Sequence, residues 1–335
     1  MWSEQPLEDL LKRRLSTLPE PARTEFWPDY AVARRFVIEE IVRNIPASEG
    51  SLTDHGPDHL ADVMSRVREL IGDKVEYFTP HEMYVLNTSV LFHDVGNLHG
   101  RKDHQKKIAD IYDACRKRES RFATERTAIL TIAGAHTGST KDGASTDTLG
   151  ELDRLSFQAH SIRAQELAAM LRFADELAEG HHRTSAYMQN HEMYTPDSRI
   201  FHKYASVTDY CVDRGSGRIA VTYNIDLEIT SSALEVGNNL SLADLLTFIY
   251  KRLHKLDQER RYCKFYCDLL AAFKETAAVF NFYHQGIKIE LDMPPLVISD
   301  LIIPGDYTKP FEKIDSRYDI PTIVKTLDSA CRSGL

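Results

Sequence analysis

The amino-acid sequence predicts a mainly α protein, a helical block followed by a smaller α+β appendage with an antiparallel hairpin. Three observations predict it. Apolar residues recur at spacings of three and four through most of the first 187 positions, which is the period of a helix face. Beyond position 190 the texture changes. Arg199 through Val212 and Arg218 through Ile229 alternate and are rich in β-formers, with turn chemistry in Asp213-Arg-Gly-Ser-Gly217 between them. The length of 335 residues, 42% hydrophobic and 27% charged, fits one large globular domain or two modest ones. The expected organisation is N-terminal helices over 1–48 packing on the core, a main helical domain over 49–187 and an α+β region over 188–335.

Pro6 opens a short helix over 6–18, with Leu7, Leu10, Leu11 and Leu15 on one face. Pro19, Pro21 and Pro28 punctuate the next stretch, and a stronger helix is expected from Asp29 to Ile45. Residues 46–50 read as a loop. Pro57 suits the first turn of a helix on which His59, Val63 and Val67 share the core face, with Asp54 or His55 near its cap. Pro80 starts an apolar helix over 80–92 that delivers His93-Asp94, and Gly96-Asn97 ends it. Arg101 to Arg118 reads as a helix with an unusually basic opening, and residues 122–135 as a helix running into His136. A polar loop is expected over 138–147. A long helix over 159–178 has Leu167, Met170, Leu171, Ala174 and Leu177 in its buried stripe, and Asp175 at the margin. In the appendage, Leu242 to Tyr283 reads as helical and Gly286 to Leu291 as a third strand.

The bulk properties exclude some functions. The 41 basic and 50 acidic residues give a net charge of −9, which argues against a dedicated duplex-DNA binder. It leaves a small phosphorylated substrate open, because local charge decides that. The five cysteines are odd in number and scattered, without a disulfide framework. The first residues lack a signal pattern, and no apolar run approaches a membrane span. A cytoplasmic protein without a membrane partner is expected.

The chemistry gathers at helix ends. An Asp ending an apolar helix is costly unless something pairs with it. The same holds for Asp175, and His59 and His93 sit on or beside core faces. A lone histidine there reads as a satisfied core residue; the His93-Asp94 dyad reverses that preference. Two imidazoles and two carboxylates suit Mn, Mg, Fe, Co, Ni or Zn without choosing among them. His104, His136 and His160 are candidates for a second metal or for a phosphate. Two ions can clamp the attacking water and leaving oxygen of a phosphate ester. One ion with cationic side chains can act similarly, and His55, Arg101 and Arg183 are the candidates for substrate contact.

His59-x-x-x-Val63, the apolar run into His93-Asp94-Val-Gly, and Leu171-Arg-Phe-Ala-Asp175-Glu-Leu together resemble the HD superfamily of metal-dependent phosphohydrolases, over roughly residues 50–185. The resemblance implies an all-helical domain with His59, His93, Asp94 and Asp175 as ligands of one or two divalent ions. It implies that Asp94 bridges metals or orients the water, and that His104 and His136 bind a second metal or the substrate phosphate, with Arg101 as a further electrostatic partner. No Gly-Tyr-Pro signature follows, so cyclic di-guanylate cleavage of the HD-GYP kind is not expected. His55-Gly-Pro-Asp-His59 and the run from Gly96 to His104 are similar to HD domains of bacterial conflict and stress-signalling proteins. Ala178 stands where a further Asp is expected.

The expected function is hydrolysis of a nucleotide or nucleotide-like phosphate ester by a metal-activated water, with Asp94, His104, His136 and Arg101 as the catalytic set. Two alternatives stay open: a phosphodiesterase or nuclease on an oligonucleotide or cyclic nucleotide, and a non-catalytic nucleotide-sensing module. The acidic charge favours a small-molecule partner over nucleic acid. Apolar positions in the appendage leave homo-oligomer formation open.

Overall fold

A computed structural model describes residues 2–45, 53–102, 104–137, 140, 145–230, 234–237, 239–301 and 309–333. The loop expected over 46–50 and most of that expected over 138–147 lie outside the described residues. The protein is mainly α with a β-containing appendage, and the chain divides into two compact units. One is Met1–Ala178 with Tyr262–Ala272; the other is Glu179–Arg261 with Phe273–Leu335.

The first unit is built from α1 (Pro6–Leu15), α2 (Ala22–Phe36), α3 (Pro57–Ile71), α4 (Pro80–Phe92), α5 (Ile108–Arg116), α6 (Ala123–Gly134) and α7 (Ala164–Leu177), with a two-stranded hairpin of β1 (Leu155–Phe157) and β2 (His160–Ile162). α4 is its centre. Every residue from His81 to Phe92 is buried, so this helix is enclosed on all sides and presents no face to solvent. Pro80 occupies its first turn, and Thr79 and Glu82 close a reciprocal capping box. The buried leucines of α1 pack in the same unit, at 2% exposure or less.

Several elements differ from the sequence expectation. α2 begins at Ala22 and carries Pro28 inside it. It then widens into a π-turn over Val37–Ile41 and a 3-10 turn over Val42–Asn44. The segment expected as one helix from Arg101 starts instead as a 3-10 turn, His104–Lys107, before α5. The helix expected from 159 starts only at Ala164. Residues 160–162 pair with 155–157 as a hairpin, with Gln158 and Ala159 in the left-handed region at its turn.

The second unit contains α8 (Ala186–Asn190), α9 (Pro196–Val207), β3 (Thr208–Asp213), β4 (Arg218–Ile229), β5 (Leu234–Glu235), the long α10 (Leu242–Tyr266, which crosses into the first unit at Tyr262), β6 (Glu275–His284), β7 (Ile287–Ile289), β8 (Leu296–Ser299), α11 (Phe311–Ile314) and α12 (Ile320–Ser333). β3 and β4 form the expected antiparallel hairpin. β4 and β6 are parallel from Arg218↔Glu275 to Leu227↔His284, and a parallel pair requires a crossover, which α10 supplies. The helix expected through Tyr283 therefore ends at Tyr266, and 275–284 is a strand. Its β-branched and aromatic residues pack on a sheet. Residues 199–207, read as β-rich, are helical, in the helix that begins at Pro196.

Candidate metal centre

Three helices of the first unit converge at the C-terminal end of α4. His93 is the C-cap of α4, and Asp94 leaves helical geometry at φ −110° and ψ 3°. Adjacent residues on an unbroken helix point about 100° apart; the break lets both face one place. α3 brings His59 from its first turn, behind Gly56 and Pro57. α7 brings Asp175 from its last turn.

The four side chains meet closely. His59 Nε2 lies 3.3 Å from Asp175 Oδ1 and 3.6 Å from Asp94 Oδ2. His93 Nε2 lies 3.5 Å from Asp94 Oδ2 and 3.6 Å from Asp175 Oδ1. A second group uses the other oxygen of the same carboxylate. His104 Nε2 and His136 Nε2 lie 3.3 and 3.4 Å from Asp94 Oδ1 and 3.2 Å from each other. Asp94 therefore faces two histidine groups, one with each oxygen.

The ring orientations follow from backbone carbonyls. His93 Nδ1 donates to Val90 O at 2.8 Å, His104 Nδ1 donates to Arg101 O at 3.0 Å, and His136 Nδ1 donates to Ala133 O. A carbonyl only accepts, so each Nδ1 carries a proton and each ring turns its Nε2 toward Asp94. The arrangement depends on Gly96. A Cβ at this position would stand 1.9 Å from the His104 carbonyl oxygen. The absence of a side chain at 96 is what lets the His104 segment lie against the dyad. The sequence marks Gly96 as a helix end; this close approach between residues eight apart carries no local signal.

The remaining candidates are placed differently. His55 Nε2 stands 3.9 Å from Asp94 Oδ2, at the rim of the first group. The Arg101 side chain is exposed, and its carbonyl is what touches His104. His160 joins neither group. It is exposed on β2 and stacks on His81 with centroids 3.7 Å apart, because residues 160–162 are a strand rather than a helix turn. Arg183 belongs to the second unit, where it is buried with Glu179 at 3.5 Å.

The HD-CE family model matches residues 49–255, more than half of the chain. The chain belongs to the HD-CE family. No curated protein and no solved structure matches it. Its HD-type domain contains the His/Asp cluster just described. No described helix is long and apolar enough to cross a membrane.

The HD-CE cluster fits a divalent ion on three counts. First, both nitrogens of His59 and Nε2 of His93 are buried without a hydrogen-bond partner. The approaches of 3.3–3.6 Å lack hydrogen-bond geometry. An orphaned buried polar atom costs about 1–3 kcal/mol, and coordination removes that cost. Second, bonds of about 2.0–2.2 Å to a tetrahedral centre place neighbouring ligand atoms roughly 3.3–3.6 Å apart, the separations seen in the first group. Third, His104 and His136 aim lone pairs at each other, which is repulsive without a cation or an added proton between them. The donor set itself, nitrogen with oxygen, leaves the metal open.

The electrostatics agree. Burial alone lowers the His93 pKa, but the Asp94 charge and the neighbouring Asp175 outweigh it and raise it to about 9. Burial raises Asp94, yet charged His93 and the His104, His136 and His59 rings hold it well below the usual carboxylate range. Asp175 is likewise held low, against its burial, by His59 and His93. His104 is raised by Asp94 against its own burial. With protons in place of an ion, these groups form a buried imidazolium–carboxylate cluster.

Proposed function

We propose that this HD-CE protein is a metal-dependent phosphohydrolase acting on a nucleotide or nucleotide-like phosphate ester. The observation that carries the reading is Asp94, whose two oxygens each belong to a different histidine group within 3.3–3.6 Å. One bridging carboxylate between two such groups suits a pair of ions about 3.5–4 Å apart.

His59, His93, Asp94 and Asp175 would hold the first ion; Asp94, His104 and His136 would hold the second. Bound divalent ions supply Lewis acidity at a phosphoryl oxygen and lower the pKa of water toward neutrality. Asp94 fixes the separation of the two groups and accepts a hydrogen bond from the attacking water. The carbonyls of Val90, Arg101 and Ala133 keep the imidazoles from rotating, so the site needs little reorganisation. Arg101, whose carbonyl holds His104 and whose side chain is exposed, is a candidate to meet phosphate oxygens. His55 at the rim, whose Nδ1 donates to Thr53 O, can accept from the same substrate through Nε2. A small phosphorylated substrate accords with the net charge of −9 better than a long polyanion does.

The test is phosphate release from a panel of nucleoside mono-, di- and triphosphates, cyclic nucleotides and short oligonucleotides, with Mn2+, Mg2+, Co2+, Ni2+, Fe2+ or Zn2+. Release of inorganic phosphate or nucleoside, lost in the His93→Ala/Asp94→Ala double variant, is expected. Cleavage confined to diester substrates would redirect the substrate to phosphodiesters. A wild-type protein that carries no divalent ion and releases nothing from any substrate would refute the enzyme reading.

A further inference from the structure

We infer that Thr148 and Arg172 are positioning residues that hold His136 in register for the second ion. The inference rests on reading the Asp94–His104–His136 group as a metal site. His136 lies just beyond α6, where the last carbonyls have no helical partner. The Ala135 carbonyl, one residue before the ligand, is buried and finds its partner across the fold. Thr148 Oγ1 donates to it at 2.9 Å, and Thr148 is itself 5% exposed. The same Oγ1 accepts from Arg172 Nη1 at 3.0 Å.

Arg172 lies on α7, three residues before Asp175. One hydroxyl therefore ties the backbone beside a ligand of the second group to the helix that supplies a ligand of the first. The far side of this stitch is also fixed. Leu149 N donates to Tyr262 Oη at 2.9 Å, and the Arg172 guanidinium lies 4.8 Å from the centroid of the Tyr262 ring. Tyr262 and Tyr266 hydroxyls then donate to Asp147 at 3.0 and 2.8 Å. All these residues belong to the first unit.

The bond from His136 Nδ1 to Ala133 O sets the ring's tautomer and tilt. It does not set where the end of α6 lies, because Ala133 moves with that end. Thr148 supplies the missing anchor from outside the helix. A group whose three ligand atoms sit 3.2–3.4 Å apart loses its fit if one of them shifts by a few tenths of an ångström. The first group contains no residue of α6, so the loss is selective for the second ion.

The experiment counts Mn2+ ions on the full chain by calorimetry and by electron paramagnetic resonance, without substrate. Wild type is expected to bind two ions. Thr148→Val, which keeps the shape and removes the donor, should keep the first ion at wild-type affinity and weaken the second tenfold or more, the size of loss typical for an outer partner of a ligand. Thr148→Ser should restore it. A purely structural stitch would lower Tm in Thr148→Val and leave both affinities equal to wild type, which overturns the proposal. Should Thr148→Val fail to fold, Tyr262→Phe/Tyr266→Phe removes only two hydroxyls at the half-buried end. It should weaken the second ion alone, and unchanged binding in it counts against the proposal equally. A wild-type protein that binds a single ion sinks the two-ion reading and this inference with it, whereas two ions bound with equal affinities in wild type and Thr148→Val sink only the inference.

Discussion

Two buried clusters of charge share α4, and they are built in opposite ways. At one end of the helix, Tyr84 joins Glu125, Arg116 and Tyr112. Glu125 Oε1 accepts from Tyr112 at 2.9 Å and from Arg116 at 2.6 Å, and its Oε2 accepts from Tyr84 at 2.7 Å. Arg116 Nη1 donates to Asp29 O. None of these atoms is among the buried groups lacking a partner. At the other end, His59 and His93 approach carboxylates and leave three ring nitrogens unsatisfied. The first cluster is complete as protein. The second is complete only with something added. Burial and charge density do not distinguish a stitch from a site; unfinished hydrogen bonding does.

The sharpest way to break that contrast is to remove one member from each. Glu125→Leu leaves Arg116 buried and unpaired, so unfolding in urea should show a loss of about 3–5 kcal/mol. Folded Glu125→Leu should still bind metal. Asp94→Asn should do the reverse. It should abolish turnover by more than about 100-fold, beyond the loss expected for an outer partner, while at pH 9 and above, where His93 has lost its proton, the metal-free protein stays near wild-type stability. Equal destabilisation by the two substitutions would erase the distinction. A middle case is Gly96→Ala, whose new Cβ collides with the His104 carbonyl. Weakened binding of the second ion by roughly 10- to 100-fold is expected, read by metal titration, with Glu125 and its partners untouched.

The gentlest perturbation is pH. His93 has its pKa raised from 6.5 to about 9 when no ion is present. A group raised on folding stabilises fully below its unfolded value and loses that contribution as pH rises through its folded value. The Tm of metal-free protein should therefore fall between pH 6.5 and 9. Metal must displace the same proton, so apparent affinity should climb across that window, by at most about tenfold per pH unit for one proton. Burial pushes the Tyr84 and Tyr112 hydroxyls of the other cluster up from their ordinary value, so they keep their protons across that window. A metal-free Tm that stays flat from 6.5 to 9 would mean that His93 is neutral without metal.

Much of this was legible in the sequence, for a physical reason. His59, His93, Asp94 and Asp175 are polar residues on strongly apolar helices, and such helices keep their spacing wherever they pack. The three ligand helices α3, α4 and α7, and the hairpin of β3 and β4, follow local periodicity and turn chemistry. The rest depended on distant neighbours. His160 reads as a helix residue, but 160–162 pair with 155–157. Residues 275–284 carry helix-compatible alanines, yet β4 recruits them as a strand. Gly96 acts through His104, and Thr148 acts through Ala135. None of these contacts leaves a period in the chain.

The helical unit also has an unusual boundary. It closes only when Tyr262–Ala272 returns to it after an excursion of more than eighty residues. Cys263, Cys267 and Leu270, all fully buried, are among the residues that return. The unit that carries the His/Asp cluster is therefore not a detachable segment. A gene fragment ending at the last ligand helix would encode every proposed metal ligand and still lack part of the unit that holds them. For this architecture, inheritance of the ligands and inheritance of a working fold are separate events. The appendage and the helical unit have to be passed on together.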